Sequence, residues 1–102
     1  MSVKPGTRLR SQVCATEVVV VKAPAGDVDL TCGGHPLIEM GSQPQDGLTI
    51  KPELASGNAL GKRYAPEDGS LEVLVTKPGE GTLAIGTTPI AVKQAKPLPS
   101  SD

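Results

Sequence analysis

The chain has almost no aromatic residues: its 102 residues include no tryptophan, no phenylalanine and one tyrosine, Tyr64. Modules that bind single-stranded nucleic acid stack bases on aromatic side chains, and nucleic-acid binders commonly carry a basic surface. Here the formal net charge is −1, with acidic and basic residues mixed along the chain. The sequence therefore predicts no nucleic-acid partner. It also offers few side chains with which to wall a deep ligand pocket.

Long apolar segments are absent as well. The longest run of valines, residues 18–21, is far shorter than the roughly 20 residues that a membrane-spanning helix needs. The N-terminal sequence MSVKPGTRLRSQ has basic residues with no apolar stretch after them, unlike a secretory signal. We therefore expect no membrane partner and a cytoplasmic location, in which two cysteines are expected to remain thiols.

Short apolar segments separated by glycine and proline dominate the rest of the sequence. Residues 27–32, DVDLTC, alternate between polar and apolar side chains, which is the pattern of a strand packed on a core from one side. Residues 71–76 and 82–85 alternate in the same way. Many short strands with turn residues between them predict an all-β domain, as a small closed barrel or a barrel-like sandwich of short antiparallel strands.

Residues 17–37 and 72–90 carry similar sequences, EVVVVKAPAGDVDLTCGGHPL and EVLVTKPGEGTLAIGTTPI. With a gap in the turn, the residue identities between the two copies include Glu17 with Glu72, Lys22 with Lys77, Gly26 with Gly79, Leu30 with Leu83, Gly33 with Gly86, and Pro36 with Pro89. Two copies are too few for a solenoid and suit a small sheet structure with an internal pseudo-twofold duplication. The prediction is a single domain, 1–102, with repeat units 14–40 and 70–93, an irregular connector 41–69 and an extended tail 94–102.

Within the connector, two similar turns are predicted at residues 44–47 and 66–69, where proline precedes Asp-Gly. Residues 48–50 are a candidate short strand, and residues 52–57 are long enough for one helical turn. Residues 59–65 form another candidate strand, which carries Tyr64.

Each repeat unit is expected to form its own hairpin. Keeping the apolar residues on one face places Val75 opposite Leu83 and Val18 opposite Cys32. Cys14 lies four residues before Val18. At ~3.3 Å per residue, this register separates Cys14 from Cys32 by roughly 13 Å.

Cys14, Cys32 and His35 are the candidate metal ligands, because thiolate and imidazole are the ligands that Zn or Fe prefers. The other interpretation treats both cysteines as small buried residues and His35 as a turn residue. The predicted register places Cys14 too far from Cys32 for the two to share a metal ion, and the sequence shows no fourth ligand.

Lys62 and Arg63 are the candidate anion-binding residues, since they follow the glycine-rich segment 57–61. That segment lacks the glycine spacing and the Ser/Thr of a phosphate-binding loop. Solvated charges at the rim of the domain are the other interpretation of this pair.

The sequence favours a protein that is not an enzyme: we assign no catalytic residue, and His35 is the one histidine that could serve as a base. The predicted function is a non-catalytic accessory or interaction protein with no cofactor, which assembles with a protein partner or with itself. Val19, Val21 and Leu74 point away from the predicted core and are the candidate interface, unless a second layer of the domain covers them. The alternative function is a metal-binding or redox module that uses Cys14, Cys32 and His35.

Overall fold

The computed structural model describes residues 3–66 and 69–92. Within these ranges the regular structure is β-strand apart from one 3₁₀ turn at Pro52–Leu54. The all-β prediction is therefore confirmed. The ten strands are β1 (Arg8–Arg10), β2 (Glu17–Lys22), β3 (Leu30–Cys32), β4 (His35–Pro36), β5 (Ile38–Glu39), β6 (Arg63–Ala65), β7 (Glu72–Lys77), β8 (Leu83–Ile85), β9 (Thr88–Pro89) and β10 (Ala91–Val92).

The strands form two antiparallel sheets. The larger sheet has six strands in the order β10-β6-β7-β2-β1-β5, and the smaller has four in the order β4-β3-β8-β9. In the described part of the chain no strand pairing joins the edges of either sheet, so the observed arrangement is two open sheets and not a closed barrel. The same residues contain no helix that is long and apolar enough to cross a membrane.

The predicted hairpins are wrong, because the first strands of the two repeat units pair with each other. In β2 and β7, Val18 lies opposite Val75 and Val20 opposite Val73, on either side of the central pair Val19 and Leu74. The segments that leave β2 and β7 lead into the other sheet, so neither strand pairs with the strand that follows it in sequence.

The second strands of the two units behave in the same way. β3 pairs with β8, which places Leu30 opposite Ile85 and Cys32 opposite Leu83, with Thr31 facing Ala84 at the centre. Cys32 therefore lies in the middle of the smaller sheet.

The predicted alternation of faces is confirmed in β2 even though its strand partner differs. In β3 and β8 the residues expected to face outward, Thr31 and Ala84, are buried as well. Val18 and Val20 are buried, while Val19 between them is half-buried and Val21 is 38% exposed. β-Branched residues suit this pleated surface because their χ1 freedom is already restricted. The core draws on both sheets and consists of Val3, Leu9, Val18, Val20, Val28, Leu30, Cys32, Leu37, Tyr64, Leu71, Val73, Val75, Leu83 and Ile90.

A tight glycine turn connects β3 to β4. Gly33 and Gly34 have φ values of +66° and +91°, as the two central residues of a type I′ hairpin require. Other residue types disfavour such values because of their Cβ atom. The turn brings His35 opposite Cys32 in the paired strands.

The connector is partly as predicted. The helical turn appears as Pro52–Leu54, and the strand with Tyr64 appears as β6. The strand predicted at residues 48–50 is wrong, since these residues have no ladder partner.

One strand was not predicted, and two predicted segments extend outside the residues that the structure describes. Strand β1, which the sequence did not predict, precedes the expected start of the first unit at residue 14. The turn predicted at 66–69 and the tail 94–102 fall wholly or partly outside the described residues.

Candidate functional site: a pair of thiols

Cys14 and Cys32 lie together, with 3.8 Å between their sulfur atoms. This is well beyond the bond length of about 2.05 Å in a disulfide, and both residues are free thiols. Cys32 lies on β3 and is completely buried, whereas Cys14 lies between β1 and β2 and is half-buried. The predicted separation of roughly 13 Å, which assumed an extended chain, is therefore wrong.

Cys14 is close to Cys32 because the loop 11–16 folds back on itself. The amide of Ser11 donates to the Thr16 carbonyl oxygen at 2.9 Å, which closes the loop. The Ser11 hydroxyl oxygen then accepts hydrogen bonds from the amides of Val13 and Cys14, at 3.1 and 3.2 Å. Such side-chain to backbone bonds are typical of serine turns and compete with strand structure. The loop thus fixes the position of the Cys14 sulfur.

Three groups lie within hydrogen-bonding distance of the Cys14 sulfur. The hydroxyl oxygens of Ser11 and Thr16 each lie 3.2 Å from it, and the Cys32 sulfur lies 3.8 Å from it. Hydrogen bonds to a thiolate favour the charged form. The hydrogen bond with Cys32 is the largest cause, and the hydrogen bonds with Ser11 and Thr16 add to it. Together they lower the pKa of Cys14 to about 4 against the opposing effect of burial.

The pKa of Cys32 moves in the opposite direction. Its hydrogen bond to Cys14 raises it most, burial raises it further, and the negative charge of Cys14 adds to both. The shared hydrogen bond therefore favours a single negative charge on the pair, and the greater exposure of Cys14 favours its sulfur as the place for that charge. Since the thiolate is the reactive form of cysteine, Cys14 is the nucleophile of the pair.

Asn58 anchors a glycine loop, residues 78–81, over the two thiols. Its side-chain amide donates to the Thr16 hydroxyl oxygen at 2.8 Å and to the Gly81 carbonyl oxygen at 2.9 Å. Its side-chain oxygen accepts from the Gly79 amide at 3.1 Å. Because the Thr16 oxygen already accepts from Asn58, its hydrogen is free to point at Cys14.

The two glycines of this loop contact the thiol site directly. A Cβ atom on Gly81 would lie 2.8 Å from the Cys32 sulfur, and one on Gly79 would lie 2.9 Å from the Cys14 sulfur. Any larger residue would collide with these atoms, so the close approach of the loop requires glycine at both positions.

Cys14 lines a small pocket of about 160 Å³ at the surface. Its other lining residues include two cations, Arg10 and Lys77, and one acid, Glu17. The Lys77 ammonium nitrogen lies 3.8 Å from a carboxylate oxygen of Glu17. The pocket therefore presents polar and charged groups beside a nucleophilic sulfur.

His35, the third predicted metal ligand, has a different partner. Its Nε2 atom lies 2.8 Å from the Thr49 carbonyl oxygen, which can only accept, so Nε2 carries a hydrogen. No group of three or more His, Cys, Asp or Glu side chains in residues 3–66 and 69–92 is placed to hold a metal ion. The structure thus brings two of the three residues together, and the Zn or Fe site stays a prediction.

The predicted anion-binding pair is only partly available to a ligand. The guanidinium of Arg63 lies 3.2 Å from a carboxylate oxygen of Glu72, whose side chain is 6% exposed. Lys62 is exposed in the loop before β6. Anion binding at these residues stays a prediction.

The predicted interface residues lie on the outer face of the larger sheet. Val19 and Leu74 are half-buried and directly opposite each other at the centre of this sheet. Arg8 pairs with Val19 from β1, and Arg63 pairs with Leu74 from β6. An apolar pair therefore lies between two arginines on this face.

Comparison with known proteins adds no assignment. No protein-family model matches the sequence, and no significant match was found among curated proteins or solved structures. The sequence did not predict Ser11, Thr16, Asn58, Gly79 or Gly81 as residues of this site. The only local signal was the spacing of a serine three residues before Cys14 and a threonine two residues after it.

Proposed function

We propose that this protein is a thiol redox module in which Cys14 and Cys32 alternate between a dithiol and a disulfide. One observation supports this most: the two sulfur atoms are 3.8 Å apart, and two hydroxyl groups lie beside the Cys14 sulfur. A half-buried thiol of low pKa next to a buried partner thiol suits thiol–disulfide exchange.

The exchange takes place in two steps with an organic disulfide as oxidant. The Cys14 thiolate attacks one sulfur of the substrate, a mixed disulfide forms, and the first substrate thiolate leaves. Cys14 is then neutral, so the charge and the hydrogen-bond acceptor that raise the pKa of Cys32 are gone. Cys32 loses its proton to the departing thiolate, attacks the Cys14 sulfur and displaces the second substrate thiolate. One disulfide is reduced to a thiol and a thiolate, and the protein disulfide is formed.

The variant Cys32→Ser tests this order of events. With glutathione disulfide, we expect the variant to accumulate a stable mixed disulfide at Cys14, because the second step cannot occur. The wild-type chain should instead lose only the mass of its two thiol hydrogens. Intact-protein mass spectrometry under denaturing acid conditions distinguishes the two products.

Cys14→Ser is the matched control, and its buried Cys32 should remain unmodified. A wild-type chain that gains glutathione at Cys32, or that gives no internal disulfide, would contradict the proposal.

We further infer that the chain consists of two repeats related by a pseudo-twofold axis. The registers of β2 with β7 and of β3 with β8 support this, because each is centred on a pair that the sequence alignment matches. The pairing of Arg8 with Val19 and of Arg63 with Leu74 extends the correspondence to β1 and β6. Ile85 aligns with Cys32, so only the first unit has the thiol pair.

A second candidate function, interaction with another copy of the chain, is supported by the outer face of the larger sheet. The central pair Val19 and Leu74 with its flanking arginines has a nearly twofold arrangement, which suits the self-complementary contact of a symmetric dimer. Val21 adds exposed apolar surface to the same strand.

We expect sedimentation velocity to show a concentration-dependent dimer, and Leu74→Lys to shift it to monomer. Leu60→Lys is the control, since Leu60 is 62% exposed and outside the sheets. A wild-type chain that stays monomeric at high concentration would contradict self-association. A different protein found bound to this face would show that the face contacts a heterologous partner instead.

A further inference from the structure

The pocket beside Cys14 is small and open to solvent. Its volume of about 160 Å³ holds several water molecules. A hydrogen peroxide molecule, or the terminal oxygens of a small alkyl hydroperoxide, fits in this space. A peptide disulfide would have to leave most of its bulk outside.

The charges around the pocket favour a neutral substrate. Arg10 and Lys77 contribute two positive charges, and Glu17 and the Cys14 thiolate contribute two negative ones, so the formal charges cancel. A substrate with several carboxylates or phosphates gains little net attraction here. A substrate that develops negative charge only during the reaction gains more, because the two cations can then stabilise that charge.

From this size and charge pattern we propose that the substrate of Cys14 is a small, neutral hydroperoxide, ROOH. The inference rests on the dithiol–disulfide cycle proposed above and names its oxidant. The Cys14 thiolate attacks the terminal oxygen, an S–O bond forms, and the O–O bond breaks. Two electrons pass from sulfur to the peroxide, and RO⁻ leaves toward Arg10 and Lys77, where it takes a proton from water to become an alcohol, or water when R is hydrogen.

Cys32 completes the reaction. Its thiol reacts with the Cys14 sulfenic acid across the observed 3.8 Å, forms the S–S bond and releases water that contains the hydroxyl of the sulfenic acid and the Cys32 proton. In total, one hydroperoxide and two thiols give an alcohol, a water molecule and a disulfide. The hydroxyl groups of Ser11 and Thr16 hold the sulfur in place during the attack.

Two variants test the role of the cations. In the reduced full-length protein, we expect the rate constant of Cys14 with hydrogen peroxide, per thiolate, to exceed that of free cysteine by at least about tenfold. We expect Lys77→Gln to lower this rate constant about tenfold or more. Lys22 aligns with Lys77 in the other repeat unit and is exposed on β2. It does not line the pocket, so Lys22→Gln is the matched control and should react like the wild type.

The rate constants with hydrogen peroxide are measured by stopped-flow mixing. Dimedone labelling of Cys32→Ser identifies a sulfenic acid at Cys14. The same variants are treated with glutathione disulfide in parallel. If the rate per thiolate equals that of free cysteine, or if Lys77→Gln matches Lys22→Gln, the hydroperoxide inference is overturned. The dithiol cycle survives that result when glutathione disulfide still oxidises the pair. Failure of both oxidants rejects the cycle itself.

Discussion

Alkylation of Cys14 by iodoacetamide is expected to proceed at a nearly constant rate from pH 8 down to pH 5. The pKa of this thiol is lowered to about 4, chiefly by the hydrogen bond from Cys32, so the thiolate persists until the pH falls below about 5. An ordinary thiol with a pKa of about 8.5 loses close to a thousandfold of its thiolate over the same range. The shape of the profile is the diagnostic quantity, because a thiolate of low pKa is also a weaker nucleophile.

The measurement is the second-order rate constant against pH, with the alkylated residue identified by peptide mass spectrometry. Urea-unfolded protein provides the reference profile. In Cys32→Ala the largest cause of the shift is removed, so the inflection should move upward toward the ordinary thiol pKa. Ser11→Ala should move it less, since that hydroxyl is a smaller cause. An inflection near pH 8.5 in the folded wild type would show that the surrounding groups do not stabilise the thiolate.

The faces of the strands could be predicted from the sequence, but their partners could not. Val18 and Val20 are buried and Val19 is half-buried because a strand alternates its side chains, which is a local property. Which strand pairs with β2 is not determined by the neighbouring sequence. β3 and β7 both carry apolar residues at alternate positions, Leu30 and Cys32 in β3 and Val73 and Val75 in β7, so either strand could complete the burial of β2. The sequence gives no local reason to prefer the distant strand.

The thiol pair was missed for a related reason. Treating Cys14 as a continuation of β2 made it distant from Cys32, whereas the hydrogen bonds of Ser11 fold that segment back. Asn58 and Gly79 contact the site although they lie 42 and 63 residues after Thr16 in the chain. Their roles depend on tertiary contacts, and no local pattern in the sequence records such contacts.

The loop over the thiols makes Gly79→Ala the substitution for which we expect the largest loss of stability. The new Cβ atom would overlap the Thr16 hydroxyl oxygen and would lie 2.6 Å from the Thr16 amide nitrogen and 2.9 Å from the Cys14 sulfur. The backbone atom cannot move aside cheaply, and overpacking of this kind typically costs about 1–3 kcal/mol. Urea unfolding of the reduced protein, with an excess of reductant, measures the change in the free energy of unfolding.

Gly26 provides the control, since it aligns with Gly79 in the first repeat unit. No atom lies within 4 Å of a Cβ placed there, and its φ is not positive, so Gly26→Ala should be neutral or stabilise by up to about 1 kcal/mol. Displacing Thr16 should also withdraw a donor from the Cys14 sulfur, so Gly79→Ala is expected to raise the inflection of the alkylation profile while Gly26→Ala leaves it unchanged. Equal stability of the two variants would mean that the glycine loop does not press on the thiols. A destabilised Gly79→Ala with an unaltered profile would mean that the loop supports the fold without controlling the reactivity of Cys14.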